Sequence, residues 1–225
     1  MLPEGGAQPP ESFRALLAER TPSFGLSISD SILDTLSRFL GALDRARRQT
    51  NLTGPLTPED LADHALESAL GQRLIAHGAR VIDIGSGAGF PGVPLAIVRP
   101  DIRVTPVEPR KKRIEFLTEI SRQIPVPNLV IPVRSLGLLR KESAEAATAR
   151  AVGNVEALLK EASFLVTGGV FLAWTTDVGL VSRRLSPLFQ LETDLAVPGT
   201  RRKRIASFTK RNVPRGTGGT GREPS

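Results

Sequence analysis

The sequence predicts a Rossmann-like α/β fold, a mostly parallel, doubly wound sheet with an N-terminal helical cap. Three features predict it. From residue 80 onward, short runs of β-favouring residues are mostly separated by helical stretches, the pattern of parallel strands joined by crossover helices. Ahead of residue 77, apolar residues recur at helical spacing. At the start of the alternating region, VIDIGSGAGFPG (81–92) runs a strand-like segment into three alternating glycines and then an apolar helix.

Taken in order, ESFRALLAER (11–20) and SDSILDTLSRFLGALDRARRQT (29–50) are helices. The second places Ile32, Leu33, Leu36, Phe39, Leu40 and Leu43 on one face. Thr57-Pro58-Glu59-Asp60 reads as an N-cap, a proline at the first helical position and two acids near the positive helix end, so a third helix should run to about Ala76. Strands are expected at RVIDI (80–84), IRVTPV (102–107), NLVIPV (128–133), ATARA (147–151), VFLAW (170–174), FQLETDLAV (189–197) and RIASF (204–208), with an antiparallel end to the sheet. Helices are expected at RKKRIEFLTEISRQ (110–123), NVEALLKEASFLV (154–166) and DVGLVSRRLS (177–186). The expected division is a disordered 1–10, a helical cap over 11–76, the Rossmann-like core over 77–211 and a disordered basic tail over 212–225.

Composition narrows the chemistry. With 225 residues, 40% of them hydrophobic, one α/β domain with small additions is expected. Cysteine is absent, which excludes disulfides, thiolate metal sites and a cysteine nucleophile. Only His64 and His77 are present, so no metal is expected. The N-terminus MLPEGGAQPP lacks the basic-then-apolar order of a leader and no run is long enough to cross a bilayer, so a cytoplasmic protein is expected. Residues 1–200 carry 22 basic and 22 acidic side chains, whereas residues 201–225 carry eight basic and one acidic. All of the +7 net charge therefore lies in the tail, whose RRKRIASFTKR alternates as an edge strand would. Such a cluster is either a solvated basic surface or a phosphate-binding one.

Gly85, Gly87 and Gly89 supply a turn at the carboxyl end of the first strand, where the backbone takes positive φ or must approach a ligand with no Cβ in between. Glu108 ends the next strand, roughly 20 residues on, where a doubly wound fold places an acid to accept hydrogen bonds from a ribose diol. The spacing is G-x-G-x-G preceded by Asp83, not the G-x-G-x-x-G that seats a pyrophosphate. It matches S-adenosylmethionine enzymes, with a nicotinamide or flavin enzyme the alternative that the motif alone leaves open, and Asp83 beside the loop suits the cationic amine of S-adenosylmethionine.

NLTGPLTPEDLADHALESAL (51–70), VIDIGSGAGFPGVPLAIVRPD (81–101) and VEPRKKRIEFL (107–117) together resemble the bacterial 16S ribosomal RNA guanine-N7 methyltransferase family, once called glucose-inhibited division protein B. The specific parts are Asn51-Leu52-Thr53, His64 with Glu67-Ser68, the turn from Gly89 to Gly92, and Arg150-Ala151. The resemblance implies transfer of a methyl group from S-adenosylmethionine to N7 of a guanine in 16S RNA. It implies cofactor contacts at Gly85 and Phe90 and a ribose contact at Glu108. Leu136 and Gly137 would fall near the adenine, and Arg150 near the cofactor or the incoming base. His64 is expected to serve a structural role at the seam of cap and core. Guanine N7 carries a lone pair and no proton, so no catalytic base is called for, only placement. Arg201, Arg202, Lys203 and Arg204 are the candidates for gripping RNA phosphates. The implied partner is 16S ribosomal RNA or the small ribosomal subunit, with no membrane involved and the chain expected to act as a monomer.

Three positions depart from the family. Thr175 stands where a lysine is common, Val152 where an aromatic is usual, and Gly137 where an acid is usual. They leave two other readings open: a non-catalytic RNA- or ribosome-binding protein of the same fold, and a methyltransferase acting on a small molecule or protein.

Overall fold

In the computed structural model, residues 7–150, 159, 162–186 and 188–212 are described. Three helices come first: α1 (Pro10–Arg20), α2 (Asp30–Gln49) and α3 (Pro58–Leu70). On α2 the residues Leu33, Leu36, Phe39, Leu40 and Leu43 are all buried, as their three-and-four spacing demands. α3 opens on a capping box: Asp60 N–H donates to Thr57 Oγ1 at 3.1 Å, and Thr57 N–H donates to Asp60 Oδ2 at 2.8 Å. It ends earlier than the periodicity suggests, at Leu70, before a 3₁₀ turn over Gly71–Leu74. Gly71 has no side chain to spare, because a Cβ there would lie 2.7 Å from the Trp174 ring.

The sheet follows, built from β1 (Arg80–Ile84), β2 (Arg103–Val107), β3 (Ala144–Arg150), β4 (Leu165–Thr175), β5 (Phe189–Ala196) and β6 (Arg204–Lys210). Its order is β2-β1-β3-β4-β6-β5. The first four strands run parallel, and β6 pairs antiparallel with both β4 and β5. Connecting helices are α4 (Gly92–Val98), α5 (Lys111–Gln123) and α6 (Val178–Leu185). Strand alternation assigns side chains to two cores. Val81, Leu172, Trp174 and Ile205 pack with the cap, α4 and α5, while Ile82, Ile84, Phe171, Ala173 and Phe208 pack on the opposite face with Leu185 of α6. The cap thus shares one continuous core with one face of the sheet. Asp83, two residues after Val81, points to that same face.

Two expectations need correction. The segment 128–133 makes only isolated bridges to β2, at Val104↔Leu129 and Val107↔Val133. Pro132 cannot donate a ladder hydrogen bond and Ile131 is 66% exposed, so this segment lies along the sheet edge without joining it as a strand. The alternation of the basic segment predicts an edge strand, yet β6 lies inside the sheet, between β4 and β5. Ile205, Ala206, Ser207 and Phe208 are all buried, which requires cover on both faces. Most of the helix expected over 154–166, Val152, residues 1–6 and residues 213–225 of the tail lie outside the described residues.

Replacing Thr57 by Ala removes one half of the capping box. Urea denaturation should show a loss of about 1 kcal/mol with an unchanged m-value, the signature of a lost cap in an intact fold.

Candidate functional site

The glycine turn is shaped from below. At the end of β1 the Asp83 side chain is fully buried. Its Oδ1 accepts from Thr148 Oγ1 of β3 at 2.8 Å, and its Oδ2 accepts from Gly92 N–H, at the start of α4, at 3.2 Å. A Cβ on Gly92 would sit 2.5 Å from that oxygen, so only glycine lets the helix come so close. Between the two anchors Gly85, Gly87 and Gly89 take φ of 68°, 57° and 99°. Gly85 N–H and Ser86 N–H donate to Val107 O at 2.8 and 3.2 Å, tying the turn to the end of β2.

Above this turn, at the carboxyl edge of β1 and β2, lies a hollow of about 530 Å³. Gly85, Gly87, Phe90, Glu108, His64 and Arg150 all border it. Glu108 is 2% exposed; its Oε2 accepts from Gly87 N–H and its Oε1 from Arg110 N–H, both at 2.9 Å. Arg113 NH1 lies 3.7 Å from the same Oε2. The RKKR segment is therefore split: Arg110 and Arg113 border the hollow, while Lys111 and Lys112 are exposed at the start of α5.

The wall toward the cap is aromatic and cationic. Phe90 meets Phe39 of α2 edge-on with ring centroids 5.5 Å apart, and His64 of α3 edge-on at 5.8 Å. The Arg150 guanidinium lies 5.9 Å from the centre of the Phe90 ring. His64 was expected at a seam, and it does stand between cap and sheet, but it also borders the hollow. Burial, with Arg150 and Lys203 nearby, pushes its imidazole down to about 4, so it is neutral at physiological pH.

Several expected residues lie elsewhere. Asp83 and Gly89 do not border the hollow. Asp83 has both oxygens engaged beneath the turn, and a Cβ on Gly89 would point inward, 2.8 Å from Val93 Cγ2. Leu136 and Gly137 belong to a 3₁₀ turn capped by Ser135 and do not reach the hollow either. The four tail cations divide. Arg201 and Arg202 are exposed, Arg204 pairs with Asp194 on the neighbouring β5, and Lys203 turns inward to Glu67. Lys203 and Arg204 thus do not stand free for phosphates, because each faces an acid brought to it by the fold.

Sequence reasoning gave Glu67 no function of its own. It is 2% exposed, with Oε2 at 3.1 Å from Arg150 NH2 and Oε1 bonded to Lys203 Nζ. Its backbone carbonyl accepts from the Trp174 indole N–H at 3.0 Å. The available signal was an acid set among Leu61, Ala62, Ala65, Leu66 and Ala69 on the buried face of α3.

The rRNA small subunit methyltransferase G family matches residues 32–180. The chain belongs to this family. A Ribosomal RNA small subunit methyltransferase G of Mycobacterium sp. (strain JLS) is 36% identical over 154 residues, 67% of this chain and 63% of the relative, so the match spans less than two thirds of that protein's length. One from Mycobacterium sp. (strain KMS) is 35% identical over 170 residues, 73% of this chain and 70% of the relative. Among solved structures, TrmK, a tRNA methyltransferase of B. subtilis, superposes with a TM-score of 0.55 at 12% identity, covering 65% of each chain. The fold is that of class I S-adenosylmethionine-dependent methyltransferases.

Burial pushes the Asp83 carboxyl up to about 6, against the hydrogen bonds from Thr148 and Gly92 that favour its charged form. Folded protein then holds this proton to higher pH than unfolded chain does, so stability from this group is present at low pH and lost as pH rises from about 4 to about 6. Relative to Asp83→Asn, the wild type should lose on the order of 2–3 kcal/mol across that window, measured by urea denaturation at stepped pH.

Proposed function

We propose that the chain transfers the methyl group of S-adenosylmethionine to N7 of a guanine in 16S ribosomal RNA. The observation that carries this reading is the pairing of a side-chain-free turn, Gly85 to Gly87, with the buried Glu108 carboxylate across one hollow, on a chain of this family. The residues present fit the cofactor. Bare peptide groups at Gly85 and Gly87 permit close approach, and each Glu108 oxygen keeps acceptor capacity beyond the one amide it holds, suited to a ribose diol. A volume of about 530 Å³ lies in the range of small-molecule sites.

When bound, S-adenosylmethionine supplies an electrophilic methyl group. The chain's own work is placement and exclusion of water. Gly85 and Gly87 admit the cofactor, Glu108 orients it, and Phe90, backed by Phe39 and His64, closes the apolar wall. No side chain has to remove a proton from N7, which fits a neutral His64. Asp83 acts from beneath, holding the turn, and so differs from the direct contact expected of it. The exposed Arg201 and Arg202 supply phosphate contacts, and a monomer acting in the cytoplasm on RNA or on the small subunit completes the proposal.

Purified protein, tritiated S-adenosylmethionine and small subunits from cells lacking this gene form the decisive assay. Label should appear as N7-methylguanine in 16S RNA; no label would overturn the assignment. Glu108→Ala should weaken cofactor binding by about tenfold or more by calorimetry, since it removes acceptors and strands the Gly87 amide. Replacing Arg201 and Arg202 together by Gln should weaken RNA binding. It should also flatten the slope of log K against log[salt] by about 1.4, the share of two single-strand phosphate contacts.

A further inference from the structure

A second cavity, about 340 Å³, opens one strand over from the first, beside the carboxyl ends of β3 and β4. The two adjoin through Arg150, which borders both. Trp174 and Val197 give the second cavity apolar surface, and the Glu67 carboxylate and Lys203 ammonium give it a polar edge. Arg150 and Arg204 border it as well. That combination, a mainly apolar slot edged by charged side chains next to a cofactor site, is what an unstacked base requires.

We propose that this cavity receives the guanine to be methylated and that Glu67 and Lys203 read its Watson–Crick edge, a reading that rests on the function proposed above. The chemistry is complementary. Guanine presents N1–H and a 2-amino group as donors beside O6 as an acceptor. Glu67 Oε1 can accept from the donors, and Lys203 can donate to O6. Adenine presents the reverse, an acceptor at N1 and a donor at its 6-amino group, so it would leave both protein groups mispaired. Holding this edge leaves N7, on the five-membered ring, unengaged and available to the neighbouring hollow.

In the free protein Glu67 Oε1 is occupied by Lys203 and Oε2 by Arg150. Exposure tells which partner yields. The Arg150 side chain is 17% exposed and Lys203 43%, and Lys203 stands just ahead of β6, in the stretch leading in from the exposed Arg201 and Arg202. Lys203 is the outer partner; it swings from the carboxylate to O6 while Arg150 keeps Oε2. Until a base arrives, the ion pair keeps a buried acid compensated.

The chain holds a single tryptophan and no tyrosine, and that tryptophan, Trp174, borders this cavity. Its emission, excited at the red edge of the indole band to avoid nucleotide absorption, reports entry directly. Guanosine monophosphate should perturb it with an affinity about tenfold or more above that of adenosine monophosphate. Glu67→Gln should abolish the preference, with folding verified by thermal melting and cofactor affinity by calorimetry. Should Glu67→Gln fail to fold, Thr176→Phe narrows the cavity from an exposed position and should abolish the nucleotide response while cofactor affinity stays unchanged. Equal affinities for the two nucleotides, or a response that survives Thr176→Phe, overturns the proposal. Methylation of 16S RNA without guanine preference at Trp174 overturns the pocket alone; guanine preference without methylation upholds the pocket and overturns the proposed activity.

Discussion

A fully buried carboxylate at the end of β1 sets the geometry of the whole site. Asp83 joins three elements, β1 through its own backbone, β3 through Thr148 and α4 through Gly92, and the glycine turn spans the gap between them. Burying the acid carries a desolvation penalty, visible in a carboxyl pushed up to about 6, and the hydrogen bonds from Thr148 and Gly92 offset part of it. What the tie secures is the start of α4 held against the strand, which leaves Gly85 and Gly87 bordering the hollow as half-buried bare peptide while Gly89 packs inward.

The cap is the second structural condition. α3 lies across the carboxyl edge of the sheet and brings His64 and Glu67, one helical turn apart, to positions bordering different cavities. Arg150, at the end of β3, bridges them: it contacts the His64 carbonyl, the Glu67 carboxylate and the face of Phe90. Trp174 fixes the same helix from the other side, through its bond to the Glu67 carbonyl and its contact with Gly71. Cap and sheet therefore share polar contacts as well as a core, and the two cavities meet where they join.

Local patterns made much of this readable. The Thr57-Asp60 box, the apolar stripe of α2 and the strand-turn-helix around Gly85 depend on near neighbours, and each forms within a residue or two of its expected place. Where neighbours distant in sequence compete, structure and local pattern diverge. α3 gives way at Leu70 to a 3₁₀ turn whose Gly71 lies against Trp174, and segment 128–133 stays outside the ladder, where Pro132 cannot donate and no further strand among the described residues lies beyond it. The tail cations read as one cluster, yet Asp194 and Glu67 separate them.

Sequence alone determined the strand-helix alternation, the glycine turn with its acid two residues before and another near twenty after, and the family, because these reside in residue types at short fixed spacings. Tertiary structure alone decided what each acid faces. Asp83 turns under the loop and Glu108 into the hollow, because strand alternation and helix approach set their directions. Glu67 meets Arg150 and Lys203, 83 and 136 residues away, because pairing across the sheet and the cap brings charges together that spacing along the chain does not encode.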